Sequence, residues 1–90
     1  MKDAWSALSD RTRREILTLL KERSMTAGEI AERFTLTNAT ISHHLAILRD
    51  AELILSEKKG QTITYSLNVT VFQSFLKSLA EWMDRKGEET

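Results

Sequence analysis

Hydrophobic residues recur at the three- and four-residue spacing of a helix along most of this 90-residue chain. The spacing changes to alternation over one stretch around residue 60, which indicates strands instead. Ser9 and Asn68 stand where helix N-caps are needed, each before a long apolar-periodic segment. The pattern therefore predicts a mostly α fold with a small β-hairpin (an α+β class), with helices over residues 2–8, 10–23, 26–34, 38–51 and 69–85.

The third predicted helix begins with a capping box. The Thr26 hydroxyl can accept from the backbone N–H of Glu29, and the Glu29 carboxylate can accept from the N–H of Thr26. A three-residue break, 35–37, follows this helix; within it we expect Leu36 to enter the core and Thr37 to cap the next helix. The residues that this helix is expected to bury are Ile30, Ala31 and Phe34.

The fourth predicted helix has an apolar stripe and a polar outer face. Ile41, Leu45 and Leu48 share one side at helical spacing. Two helices joined by so short a break are typical of a helix-turn-helix, whose second helix normally enters the DNA major groove. Asn can pair with adenine, and Ser, Thr and Ala suit base edges, phosphates or the thymine methyl. The candidate groove residues are Asn38, Ala39, Thr40, Ser42 and His43.

A two-stranded hairpin is predicted directly after the fourth helix. Residues 62–67 alternate, which places Ile63, Tyr65 and Leu67 inward, and Gly60 can supply the positive φ of a tight turn. Met25 could add one extended residue beside the hairpin. This order of elements is a winged helix-turn-helix, in which the hairpin is the wing. The candidate backbone-contacting residues of the wing are Lys58, Lys59, Gln61 and Thr62.

The last predicted helix has more apolar surface than one small domain can cover. A second copy of the chain could cover it, together with the apolar edge of the first helix. Three arginines at the start of the second helix are expected to be mostly solvated, with one phosphate contact at most. The candidate dimer-interface residues are Trp5, Leu8, Phe72, Phe75, Leu76, Leu79, Trp82 and Met83.

Composition excludes several classes of protein. The chain has no cysteine, so it can form neither disulfides nor thiolate metal sites. Without a membrane-length apolar run or a signal-peptide core, we expect a single cytoplasmic domain spanning residues 1–90. The 13 basic and 13 acidic residues give zero net charge, which is unusual for a DNA-binding protein, but no acidic residue occurs between Arg33 and Arg49.

Four segments of the chain resemble the ArsR family of repressors: 8–20, 27–31, 41–53 and the wing from 59 to 65. The run Ser42-His43-His44-Leu45 is the most specific of these matches. The resemblance implies a homodimeric winged-helix repressor that binds an inverted repeat in double-stranded DNA. It also implies dimerisation through the first and last helices and groove contacts from Ser42 and His43. Arg11 stands where the family usually has proline, which should only soften the start of the second helix.

The residues that metal-sensing members of the family use are missing here. Only His43 and His44 are histidines, and adjacent helical residues point in different directions. Glu81 and Asp84 alone are weak ligands for soft metals. We therefore expect no metal and no cofactor, and the absence of a catalytic constellation argues against an enzyme.

Two questions stay open at the level of sequence. A winged helix can also serve as a protein-interaction module that does not bind DNA, and salt-sensitive DNA binding would distinguish the two functions. The inducing signal could be a small molecule or a regulatory protein partner, and the resemblance extends to repressors that regulate their own gene.

Overall fold

The computed structural model of the chain describes residues 4–88, with side-chain surroundings as far as residue 85. The predicted start of the first helix at residue 2 lies outside the described residues. Helices and strands follow in the predicted order, and a short strand lies before the third helix, where Met25 was expected to add an extended residue beside the hairpin. The elements are α1 (Ala4–Leu8), α2 (Arg11–Glu22), β1 (Met25–Thr26), α3 (Ala27–Ala31), α4 (Asn38–Asp50), β2 (Ile54–Lys59), β3 (Thr62–Leu67) and α5 (Val69–Glu88).

The core lies where α2, α3 and α4 meet the base of the sheet. Most of its members come from the apolar stripes of the three helices and from the chain that leaves α4, and Ala7 of α1 and Met25 of β1 complete it. Burial of these side chains stabilises the whole domain. The stripe of α4 is buried as predicted, and Leu19 of α2 is partly buried at the edge of the core. The largest fully buried side chains are Ile16, Ile30, Ile41, Leu45, Leu48, Leu53 and Ile54.

The N-cap of α2 is Asp10, so the prediction of Ser9 was wrong by one residue. The Asp10 carboxylate accepts from the backbone N–H of Arg13 at 3.0 Å. Ser9 instead closes the preceding helix, because its hydroxyl and its backbone N–H both donate to the Ser6 carbonyl, at 2.7 and 3.2 Å. The capping box of Thr26 and Glu29 is present as predicted, with bonds of 3.1 and 2.9 Å.

The break between α3 and α4 differs from the prediction at Leu36, which is 39% exposed and does not enter the core. The helix ends at Ala31, and the Phe34 N–H donates to the Ala31 carbonyl in a turn that follows. This turn carries the Phe34 ring against the core, as predicted, so Phe34 contacts the core and Leu36 does not.

The sheet has three antiparallel strands in the order β1-β3-β2, because Met25 and Thr26 pair with Tyr65 and Thr64. Strand β3 is thus central, and β2 and β3 form the wing. Tyr65 and Leu67 pack against the core as predicted, but Ile63 is 41% exposed. Ile63 shares their face of the strand, yet it lies near the wing tip, beyond the reach of the core.

Candidate nucleic-acid interface

One side of helix α4 packs against the core, and the opposite side faces outward. Thr37 caps it by accepting from the Thr40 N–H at 3.1 Å, and the Thr37 and Thr40 hydroxyls lie 2.9 Å apart. Since the buried stripe fixes the rotation of the helix, the polar residues of its first two turns must face away from the core. Of the five predicted groove residues, Asn38, Ala39, Ser42 and His43 are exposed, and Thr40 is partly covered by its contact with the cap.

A Schellman motif ends α4 and sets the direction of the wing. The Leu53 N–H donates to the Leu48 carbonyl at 3.0 Å and the Glu52 N–H to the Arg49 carbonyl at 2.9 Å. Glu52 takes the left-handed conformation that the motif requires, with φ of 62°. Leu48 and Leu53 are both fully buried, which adds the apolar contact typical of this motif.

The base of the wing is closed by Asn68. Its side-chain amide donates to the Glu52 carbonyl at 3.0 Å, and its backbone N–H donates to the Leu53 carbonyl at 3.0 Å. Its side-chain oxygen also accepts from the Val71 N–H at 3.4 Å, which confirms the predicted cap of α5. One residue therefore ties the end of α4, the base of the wing and the start of α5 together.

The strand register separates the two wing lysines. Lys58 pairs with Ile63 and therefore lies on the face of the wing that carries Tyr65. Lys59 pairs with Thr62 on the other face, where its ammonium group lies 3.6 Å from the Glu57 carboxylate. The tip is the two-residue turn of Gly60 and Gln61, and Gly60 has the predicted positive φ, at 62°. Lys58, and not Lys59, therefore lies on the face of the wing that is turned toward α4.

Of the three arginines at the start of α2, Arg11 and Arg14 are exposed, as predicted, and only Arg13 is partly buried. Arg13 donates to the Ala7 carbonyl at 2.8 Å and to the Ser6 carbonyl at 3.3 Å, and its guanidinium lies 3.2 Å from Nδ1 of His44. Arg14 donates to the Leu8 carbonyl at 2.7 Å, and Arg11 pairs with Glu15. Arg13 therefore links the end of α1 to the underside of α4.

The two adjacent histidines of α4 have different surroundings, as predicted. His43 is exposed, whereas the His44 side chain is 12% exposed and lies 3.9 Å from the Asp10 carboxylate. Burial lowers the pKa of His44 below its usual range, against the opposing effect of Asp10. The hydrogen bond from the Arg13 backbone is the main cause that lowers the pKa of Asp10. His44 is thus a neutral structural group near neutral pH, and His43 is the histidine available to DNA.

The predicted dimer residues lie along α1 and α5, where much apolar surface is left uncovered. Trp5 packs on Phe75, with ring centroids 4.9 Å apart, and is still 61% exposed. Leu8 and Phe72 differ from the rest of the predicted set, because both pack against the core of their own chain. An open apolar cleft of about 480 Å³ runs between the two helices, lined by Trp5, Phe75, Ser78, Leu79 and Trp82.

Two kinds of feature are absent from the part of the chain that the structure describes. Residues 4–88 contain no group of three or more histidine, aspartate or glutamate side chains arranged to hold a metal ion. Within the same residues, no helix has the length and apolarity needed to cross a membrane.

A capped helix with an exposed polar face, beside a basic-tipped antiparallel hairpin, defines a winged helix-turn-helix protein of the DNA-binding class. The family model described as "Bacterial regulatory protein, arsR family" matches residues 10–56. The chain is 48% identical over 85 residues to the transcriptional repressor SdpR of Bacillus subtilis (strain 168), and the match covers 94% of each chain.

Two other similarities agree with this match. An arsenical resistance operon repressor from Staphylococcus aureus is 36% identical over 72 residues, which cover 80% of this chain and 69% of the relative. The crystal structure of an ArsR family transcriptional regulator superposes with a TM-score of 0.84 at 28% identity, covering 92% of this chain and 91% of that one. This chain belongs to the arsR family of bacterial regulatory proteins. It is accordingly a DNA-binding transcriptional repressor and not an enzyme.

Proposed function

We propose that the chain acts as a homodimer that binds an inverted-repeat operator and represses transcription by occupying it. Each protomer would insert α4 into the major groove, with Asn38, Ala39 and His43 facing base edges, Ser42 beside them facing a base edge or a backbone phosphate, and Thr40 at the margin. The observation that carries this proposal is the exposed polar face of the first two turns of α4, fixed by a buried stripe and free of acidic side chains. In a symmetric dimer the two recognition helices would enter successive major grooves about 34–36 Å apart.

The wing would contact the DNA backbone rather than the bases. Lys58 lies on the face turned toward α4, so it is better placed for a phosphate than Lys59, which already lies near Glu57. Gln61 and Thr62, at the tip, add two exposed hydrogen-bonding side chains. These contacts would orient the protomer on the duplex and carry no sequence information.

The dimer would form through α1 and α5. Helix α5 has 20 residues, and its apolar side chains fall within an arc of about 160° at 100° per residue. Val71 and Phe72, near the start of the helix, pack against the core, whereas Val69, Leu76, Trp82 and Met83 are each more than half exposed. Contiguous apolar surface of this kind marks an interface, and the same surface on a second copy would cover it.

The groove assignment is tested by replacing Ser42 and His43 together with alanine. Because both side chains face outward, the fold and the dimer should survive, while specific binding should weaken by about 1–3 kcal/mol for each base-pair interaction that is removed. Affinity is measured at fixed salt on a duplex selected by the wild-type protein from a random-sequence pool. Gln73→Ala with Ser74→Ala, two adjacent exposed polar residues of α5, is the matched control. Unchanged affinity of the Ser42/His43 variant would refute the assignment.

The wing assignment is tested by Lys58→Ala and Lys59→Ala, separately and combined. We expect Lys58→Ala to weaken binding to all sequences alike and to lower the log–log salt slope by about 1. Lys59→Ala should have the smaller effect, since Glu57 already neutralises part of its charge. A change in base preference in either variant would show instead that the wing recognises sequence.

The selection experiment also tests the remaining parts of the proposal. A protein-interaction module would recover no preferred sequence and would show no salt-dependent DNA binding. In a parallel selection from genomic fragments of the source organism, recovery of the region upstream of the protein's own gene would support autoregulation, and recovery of other promoters would name other targets. A repressor acts where the chromosome is, so we propose a cytoplasmic location. A regulatory protein partner and a small molecule both stay candidates for the inducing signal.

A further inference from the structure

A small polar recess lies between the recognition helix and the wing. Its volume is about 140 Å³, and none of the residues that line it is acidic. Ala46 lies midway along the side of the recess formed by α4, and the space stays open there because its side chain is short. The lining residues are Ser42, Leu45, Ala46, Arg49 and Tyr65.

Three hydrogen-bonding groups around the recess have no protein partner. Within the part of the chain that the structure describes, the Ser42 hydroxyl, the Arg49 guanidinium and the Tyr65 hydroxyl make no hydrogen bond or ion pair. Most other arginines at the N-terminal end of this domain are bonded to carbonyls or carboxylates. Two hydroxyls and one guanidinium form a donor set suited to an oxyanion, since guanidinium binds phosphate oxygens in a fixed geometry.

The path of DNA across a winged helix determines what reaches this recess. The major and minor grooves of a duplex are separated by one sugar–phosphate backbone. A protein that inserts a helix into the major groove and extends a hairpin toward the adjacent minor groove must straddle that backbone. The recess is the gap between the helix and the hairpin, so a phosphate of the straddled strand would lie at its mouth.

We propose that Ser42, Arg49 and Tyr65 form a binding site for one backbone phosphate of the operator in each half-site. The inference rests on the proposed function and extends it to two residues, Arg49 and Tyr65, outside the first turns of α4 and the wing tip. The site would fix the angle between helix and wing on the duplex. Since phosphates are the same at every base pair, it would raise affinity for all sequences alike.

Arg49 and Tyr65 can each be changed without disturbing the core. Arg49 is exposed in the last turn of α4, and Tyr65→Phe keeps the ring that packs against the core and removes only the hydroxyl. Lys77→Gln removes one positive charge from the exposed polar side of α5 and is the matched control for Arg49→Gln. Thermal melts of all four proteins should agree within a few degrees.

The experiment compares binding to the selected duplex and to an unrelated duplex of equal length across a salt series. Arg49→Gln should bind both about tenfold more weakly, with a salt slope lower by about 1. Tyr65→Phe should bind both about fivefold more weakly with an unchanged slope, because a neutral donor is removed. Lys77→Gln should match the wild type. Wild-type affinity and slope in Arg49→Gln would overturn the phosphate site.

A second measurement identifies the phosphate that Arg49 contacts. Single methylphosphonate linkages, which are uncharged, are placed at each position of the selected duplex. We expect one position in each half-site at which the uncharged linkage weakens binding by the wild type but causes no further loss of binding by Arg49→Gln. If no linkage shows this dependence while the wild type binds, the recess proposal is wrong and the proposed function stands. If the wild type binds no duplex in a salt-dependent way, both are wrong.

Discussion

Replacing Trp82 with glutamate should separate the protein into folded monomers. Trp82 lies near the end of α5 at the margin of its apolar face, and it is 55% exposed in the single chain. A tryptophan side chain offers ~200 Å² of surface, so ~110 Å² is left for a partner to cover. At about 25 cal/mol per Å² this corresponds to roughly 3 kcal/mol per protomer and about 5–6 kcal/mol per symmetric dimer.

The substituted carboxylate adds a second effect. A buried charge without a partner costs about 3–5 kcal/mol, and Trp82→Glu would place two of them in one interface. Association also orders side chains, and this cost cancels part of the free energy estimated from buried area. The lost apolar burial and the added buried charges together exceed this cost. We therefore expect the dissociation constant of the dimer to rise by at least about a thousandfold, which corresponds to about 4 kcal/mol.

Sedimentation velocity over a concentration series measures the dissociation constant of the dimer. Binding to duplexes with one or two half-sites measures how much the dimer contributes to DNA recognition. The variant should sediment as a monomer at micromolar concentration with an unchanged helical spectrum, and it should bind both duplexes with the same weak affinity. Ser74→Glu adds a carboxylate to the polar side of the same helix and should behave as the wild type. A wild-type monomer at micromolar concentration would refute the dimer. A monomeric variant that still bound two half-sites as tightly as the wild type would refute its role in recognition.

Three further predictions concern the rest of the domain. Glu52→Gly should raise the free energy of unfolding by about 0.5 kcal/mol, because the φ of 62° strains any residue except glycine; a lower urea midpoint would contradict this. Below pH ~6.5 the unfolded chain should bind a proton at His44 that the folded chain does not, since burial lowers the folded pKa. Stability should therefore fall as the pH decreases from about 7.5 to about 5.5, by at most about 1.4 kcal/mol per pH unit, and His44→Gln should remove this part of the slope in urea titrations. Zinc or a chelator should leave operator affinity unchanged, since cysteine is absent and residues 4–88 hold no three-ligand cluster; a reproducible tenfold shift at low-micromolar zinc would reveal a missed site.

Local sequence patterns predicted the elements well where a side chain and the backbone it contacts are neighbours in the chain. The capping box at Thr26, the N-cap at Thr37 and the turn glycine at Gly60 each depend on contacts within a few residues. The buried stripe of α4 follows from helical spacing alone, and it determines which side of the helix faces outward.

The errors occurred where the outcome depends on distant parts of the chain. Both Phe34 and Leu36 were expected in the core, but only Phe34 reaches it, because the end of α3 determines which of two apolar residues so close together is covered. Arg13 looked solvated because its partners, the carbonyls of α1 and His44, come together only in the folded domain.

The recess between α4 and the wing was also missed. Arg49 lies seven residues after Ser42, on the same side of the helix, and this spacing could have suggested a shared ligand. Tyr65 was assigned only an inward, packing role, and no sequence pattern shows that it lines the same recess as Arg49, which belongs to a different element.

The bonds of Asn68 connect α4, the proposed recognition helix, to α5, the helix proposed to form the dimer, without a flexible joint. Its amide and backbone N–H hold the two residues that follow α4, while its side-chain oxygen holds the first turn of α5. A tilt of α5 about its own interface would therefore be transmitted to α4 instead of being absorbed by a flexible joint. Over a lever arm of ~25 Å, a tilt of about 5° would displace the far end by about 2 Å, comparable to the helix shifts that switch other proteins. In a dimer the two displacements would add, so anything that changes the crossing of the α5 helices would also change the spacing of the recognition helices.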